Sequence, residues 1–235
     1  MNYNVYYGPL YYEDHIIKTE DRKMHSGYSY SECPVWGHMF DRTFIGYSPI
    51  DFQLIIGDDH IEYNVNEDEP VRINSEDINE SGEYNDNFLY FDVSDLEKEY
   101  PVIQLSFTNS YIWADFEIEH LWFEFLDHPF THSINNYVTI GGWFNIASHP
   151  RTSSLAIKIS NPEEPVIIKK NDPLYRIRFY TDNMDDKPNL IRKKVSDKEI
   201  EAMNLRREII SKDRKFQKEI LFNKNIRKQC PFHNV

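Results

Sequence analysis

Apolar and polar residues alternate with a period of two from Trp113 to Phe123, the spacing of a sheet with one buried face, and strand-like runs recur through the first 183 positions. Residues 51–57 (DFQLIIG) and 60–65 (HIEYNV) are strand-like runs around Asp58-Asp59, which predicts a hairpin. Runs at 88–93, 102–108, 111–118 and 120–126 read as further strands, and 137–146, 154–160, 165–170 and 174–181 continue the series. The first 48 residues form short extended pieces broken by Gly8-Pro9, Gly27 and Cys33-Pro34. Residues 66–87 are acidic and poor in large apolar side chains, a surface loop with one short strand at Val71-Arg72-Ile73.

The pattern changes after Asn183. Asp185-Asp186-Lys187-Pro188 reads as a linker, and Ser196 with Glu199 makes a capping box. Ile200, Met203, Leu205, Ile209, Ile210, Phe216, Ile220 and Leu221 then recur at about helical spacing, and no Gly or Pro interrupts residues 189–229. This predicts a long helix of about nine turns. The expected fold class is mainly β, a β-sandwich or distorted β-barrel with a long C-terminal α-helix. Residues 1–183 form the β-rich domain and 184–235 a basic helical extension. The apolar stripe of that helix needs cover, from the β body or from a second copy, so a homo-oligomer through it is expected.

Composition agrees with strands. Aromatic residues make up 15% of the 235, while alanine occurs only at positions 114, 147, 156 and 202. The chain is long enough for one domain with a sizeable core. No apolar run reaches the roughly 20 residues of a membrane-spanning helix, and the first residues lack the parts of a signal peptide. Two cysteines, Cys33 and Cys230, make no disulfide scaffold, which fits a reducing cytoplasm.

Charge is unevenly placed. The net charge is −13, yet residues 187–228 carry 14 basic and 6 acidic side chains, against 12 basic and 33 acidic in residues 1–186. The basic tail can pack on its own acidic body. That body repels a phosphate backbone, so nucleic acid is not the expected partner.

Candidate chemistry is sparse. Asp115, Glu117 and Glu119 fall two apart on one strand face, with His120, His128 and His132 nearby, and three carboxylates could hold a hard divalent cation. A solvated sheet face is the competing reading, and His120 has the opposite strand parity. Cys33 and Cys230 with His38 and His233 contain zinc-type ligands but no Cys-x-x-Cys knuckle, so buried thiols are the plainer reading. No Gly-x-Ser-x-Gly elbow, Walker loop or Gly-x-Gly-x-x-Gly run occurs, and no cofactor is expected. Gly141-Gly142 reads as a kink or bulge where another backbone comes close. The segment from His149 to Ser154 reads as an anion-binding loop or simply a turn. Tyr6, Tyr7, Tyr11, Tyr12, Tyr28 and Tyr30 read equally as a binding face or as lids over the core.

Three segments carry a resemblance. They are Cys33-Pro34 through Ser48-Pro49-Ile50-Asp51, Gly142-Trp143-Phe144-Asn145-Ile146, and residues 171–180 (NDPLYRIRFY), with a closing Cys230-Pro231-Phe232. In these the chain resembles a family of uncharacterised proteins of large tailed phages, notably cyanophages. The resemblance implies a phage-encoded accessory protein in the host cytoplasm or the virion. More narrowly, residues 137–181 resemble the closing strands of the dUTPase and dCTP deaminase β-fold. That family's pyrimidine-binding aspartate, Arg-Ser-Gly turn and glycine-rich arm are absent, so the resemblance implies architecture without the catalysis.

The leading expectation is therefore a non-catalytic accessory protein that binds a host or phage protein or a small ligand, with no membrane partner. A structural component of the virion is one alternative. A metal-dependent hydrolase using Asp115, Glu117 and Glu119 is the other.

Overall fold

The computed structural model of the chain describes residues 2–10, 12, 14–19, 26–57, 60–66, 68–114, 121–128, 136–146, 151–183, 185–197 and 200–201. In chain order, β1 (Asn2–Pro9) and β2 (Ile16–Thr19) precede a turn at Ser29–Glu32 and helix α1 (Pro34–Phe40). Next come β3 (Thr43–Tyr47), β4 (Phe52–Ile56), β5 (Ile61–Val65), β6 (Val71–Ile73), β7 (Glu83–Asn85) and β8 (Leu89–Asp92). Helix α2 (Val93–Leu96) leads to β9 (Val102–Ala114) and β10 (Leu121–Leu126). The remaining strands are β11 (Tyr137–Thr139), β12 (Trp143–Asn145), β13 (Arg151–Ile159), β14 (Val166–Ile168), β15 (Pro173–Thr181) and β16 (Lys187–Arg192).

Among the described residues these strands form three sheets. The first runs β11-β13-β9-β1-β16, with β8 on β9 and β7 on β8; the second runs β12-β10-β15-β3-β2, and the third β14-β4-β5-β6. The described pairings are antiparallel except that of β1 with β16. The hairpin expected at residues 51–65 is β4 and β5, in register from Phe52↔Val65 to Ile56↔Ile61.

The expected architecture needs correction beyond its mainly β character. All three sheets are open, so the chain is not a distorted barrel. The segment likened to the dUTPase fold is divided among all three sheets, β11 and β13 in the first, β12 and β15 in the second, β14 in the third. No long C-terminal helix occurs among the described residues, where only α1 reaches seven residues. Lys187 to Arg192, expected as linker and helix, instead form β16, paired from Asn2↔Lys187 to Tyr7↔Arg192. A helical bond from Ile200 N–H to the Ser196 carbonyl follows, while residues 202–235, which hold most of the expected helix, lie outside the described residues. No described helix is long and apolar enough to cross a membrane.

One apolar core joins the three sheets. Phe107 of the first sheet packs on Phe52 of the third at 5.1 Å, and Phe52 stacks on Tyr63. Tyr63 meets Phe88, which meets Tyr12. Under the second sheet, Phe123 packs on Phe125, Phe144 and Phe179. Offset and edge-on ring contacts thus run through the core beside its Val, Ile and Leu side chains.

Two irregularities hold this arrangement. Ser153 opposes Ser110 but Leu155 opposes Leu105, so five steps along β9 face two along β13. At this bulge the Thr108 hydroxyl accepts the Leu155 N–H at 3.2 Å and donates to the Leu105 carbonyl at 2.7 Å, tying the two strands together where their register shifts. The second is Gly141-Gly142, which passes the chain from β11 in one sheet to β12 in another. A Cβ on Gly141 would sit 3.1 Å from the Phe125 carbonyl oxygen, and one on Gly142 would overlap the Phe144 ring. The close backbone approach expected there is present, and Phe125 N–H donates to the Gly142 carbonyl at 3.0 Å.

Candidate functional site

The expected acid ladder of Asp115, Glu117 and Glu119 lies outside the described residues, with His120 and His132. Among the described residues, no group of three or more His, Cys, Asp or Glu side chains is placed to hold a metal ion. His128 is fully buried. Cys33 is a free, exposed thiol at the N-cap of α1, so it is not the buried thiol expected; Cys230 and His233 lie outside the described residues. Residues 149 and 150 of the expected anion loop are also outside, and its remainder is strand. There Ser153 Oγ donates to the Ser110 carbonyl and Ser154 Oγ to Gln104 Oε1.

The N-terminal tyrosines divide between their two readings. Tyr7 is buried and its hydroxyl accepts the Ile17 N–H at 3.2 Å. Tyr6 stacks on Trp113 with Lys193 over both rings, and Tyr12 packs on the core. Tyr28 and Tyr30 are exposed and stack on each other, continuing through Trp36 to Phe40. Tyr11 lies outside the described residues.

A buried polar pair lies under β3. His15 places Nδ1 2.9 Å from the Tyr47 carbonyl and Nε2 2.9 Å from the Tyr175 hydroxyl. A carbonyl only accepts, so Nδ1 carries the proton and Tyr175 O–H donates to Nε2. Burial holds the imidazole pKa down at about 4, partly opposed by the Tyr47 bond and reinforced by Arg192. Burial likewise pushes the Tyr175 phenol far up. Both groups are neutral near pH 7, and both are sealed from solvent, so this pair fixes structure.

The outer face of the second sheet is different in kind. On β10, Leu121, Phe123 and Phe125 are buried, so Trp122 and Glu124 project the other way. Pairing with β15 sets Trp122 opposite Tyr180 and Glu124 opposite Arg178, and pairing with β12 sets Glu124 opposite Trp143. Five side chains from three strands therefore meet on one face. Trp143 is 66% exposed, an unusual state for the largest apolar side chain. Its ring lies 5.6 Å from Trp122 at 62° and 5.9 Å from Tyr180 at 59°.

A hydrogen-bond chain runs along this platform. Thr43 Oγ1 donates to the Met39 carbonyl at 2.8 Å and accepts from Arg178 Nε at 3.2 Å. Arg178 Nη1 reaches the Tyr180 hydroxyl at 3.4 Å, and that hydroxyl donates to Glu124 Oε2 at 2.7 Å. Burial first, and then the bond to the Glu124 carboxylate, raise the Tyr180 phenol pKa, while Arg178 draws it down. Tyr180 therefore stays protonated and keeps donating. The face presents one open indole ring beside a fixed carboxylate and a fixed guanidinium. Such a surface can stack an apolar ligand face and bond polar groups next to it.

Neither a protein-family model nor a curated protein sequence matches this chain. Trp143, Arg178 and Tyr180 stand in the segments that carry the phage resemblance, but nothing in the sequence pattern marks them, Trp122 or Glu124 as one site. The outward parity of Trp122 and Glu124 was available in the alternation of residues 120–126, but their neighbours come from distant strands.

Proposed function

We propose that this chain acts by binding, with the outer face of the second sheet as its contact surface. The observation that carries the reading is Trp143, held largely in water by Trp122 and Tyr180 while Glu124 and Arg178 are fixed beside it. Leaving two-thirds of an indole in water forgoes burial of roughly 150 Å², or about 4 kcal/mol. Tryptophan, tyrosine and arginine together are the usual anchors of recognition surfaces. If the phage resemblance holds, the setting is an accessory protein acting on a host protein or small ligand.

The test is a thermal-shift screen of sugars, nucleotides, amino acids and short peptides against the wild type and Trp143→Ala. At least one compound should raise the melting temperature of the wild type and leave the variant unmoved. Compounds that stabilise both equally, or chemical turnover of a compound by the wild type, would overturn the reading.

A further inference from the structure

We propose that the ligand of this face is a neutral oligosaccharide, an inference that rests on the binding reading above. Ring geometry is the first argument. A planar base or aromatic ligand is held best in a slot between parallel rings. Here Trp143 is 66% exposed and meets Trp122 and Tyr180 at 62° and 59°, so neither of these rings lies parallel to it to form a slot. A pyranose suits that arrangement, because its axial C–H groups form a flat apolar face that stacks on a single ring while its hydroxyls point sideways.

Polar chemistry is the second argument. Each sugar hydroxyl both donates and accepts, so a pair of neighbouring hydroxyls is matched by an acceptor beside a donor. Glu124 is the cross-strand neighbour of both Trp143 and Arg178, so an acceptor lies one strand from the indole and a donor on the next strand beyond it. One Glu124 oxygen receives the Tyr180 hydroxyl, and the carboxylate has further lone pairs to offer. Arg178 spends Nε on Thr43 and one Nη1 bond on Tyr180, and guanidinium has five N–H groups in all. The Thr43–Arg178–Tyr180–Glu124 chain fixes both groups in advance, which lowers the ordering cost of binding.

Charge separates a neutral sugar from an anionic one. The residue directly across from Trp143 on β10 is Glu124, with Arg178 one strand further on, and residues 1–186 carry 33 acidic against 12 basic side chains. Arg176 and Lys18 share the face but lie further along it, opposite Ile45 of β3. A uronate or phosphate seated on Trp143 therefore meets Glu124 first. The position of Trp143 sets the length of the ligand. It stands on β12, the outermost strand of its sheet among the described residues, where a chain of sugar units can run past the ring.

The experiment is isothermal titration of the full chain with three neutral hexasaccharides, β-1,4-linked glucose, α-1,4-linked glucose and β-1,4-linked N-acetylglucosamine. Hexagalacturonate, a hexathymidylate and a random hexapeptide pool are titrated alongside. At least one neutral hexasaccharide should bind, with affinity at least tenfold weaker for Trp143→Ala and several-fold weaker for Glu124→Gln. The anionic probes should bind at least tenfold more weakly than that hexasaccharide. Failure of all three neutral sugars, tighter binding of an anionic probe, or neutral-sugar binding that ignores Trp143→Ala would overturn the inference. Peptide or nucleotide binding lost in Trp143→Ala, without sugar binding, would sink the saccharide assignment and leave the binding reading standing. No Trp143-dependent binding of any probe would remove both.

Discussion

The Nε2 atom of His15 accepts a hydrogen bond from the hydroxyl of Tyr175 across 2.9 Å, with both side chains wholly buried and 160 positions apart in the chain. The imidazole links β3, through the Tyr47 carbonyl, to β15 beside it. Burial disfavours its charged form, so folding depends on the proton being absent.

The pH dependence follows from that. The folded pKa is about 4, below the ordinary 6.5, so above pH 6.5 both folded and unfolded chains hold neutral His15 and its full contribution is present. As pH falls from 6.5 to 4 the unfolded chain takes up the proton first and stability drops, by about 3 kcal/mol in total. Urea unfolding across pH 7 to 4 should show this loss, and His15→Gln should show a shallower slope over the same window. Equal slopes for the two proteins would refute it.

Gly46 pairs with Tyr175 across β3 and β15, and a Cβ there would overlap the tyrosine ring. The end of the ring occupies the space that a Cβ would need. Gly46→Ala should therefore push Tyr175 out of place and break its bond to His15, at a cost of about 3 kcal/mol. A melting temperature unchanged from wild type would contradict this packing.

Thr108→Val keeps the shape of the side chain and removes the hydroxyl that serves the β9 bulge. The Leu155 N–H and Leu105 carbonyl lose that partner in a buried site, so a loss of about 2 kcal/mol is expected. Thr108→Ser should recover most of it. Chemical denaturation of the three proteins checks the order.

Trp143 and Phe123 lie on opposite faces of the second sheet. Trp143→Ala should change stability by no more than about 0.5 kcal/mol, because the ring is mostly in water. Phe123→Ala removes a fully buried ring that touches three others and should cost about 4 kcal/mol. Similar losses for both would mean that Trp143 is packed rather than presented.

Much of the strand content was legible in the sequence, because alternation reports burial directly. The β4–β5 hairpin was readable from its two runs and the acidic pair between them, and Gly141-Gly142 was readable as a break. β16 was not. Pro188 is its one buried residue, Leu190 and Ile191 are only half-buried, and its partner β1 lies at the other end of the chain. A local pattern contains no trace of such a partner. The binding face was hidden for the same reason: Glu124 reads as one polar position in a strand until pairing brings Trp143 and Arg178 to either side. Among the tyrosines, composition gave their number, but only strand register decided that Tyr7 faces inward.

The parallel union of β1 with β16 bears on how the molecule is made. Asn4 and Asn189, which bond side chain to side chain, are 185 positions apart. At roughly 5–20 residues per second of synthesis, the first strand leaves the ribosome some 10–40 s before its outer neighbour exists. During that interval one margin of β1 stands bare, a template onto which a neighbouring nascent chain can zip. Gly8-Pro9 at its far end shortens the stretch at risk, since proline offers no amide hydrogen to an intruder.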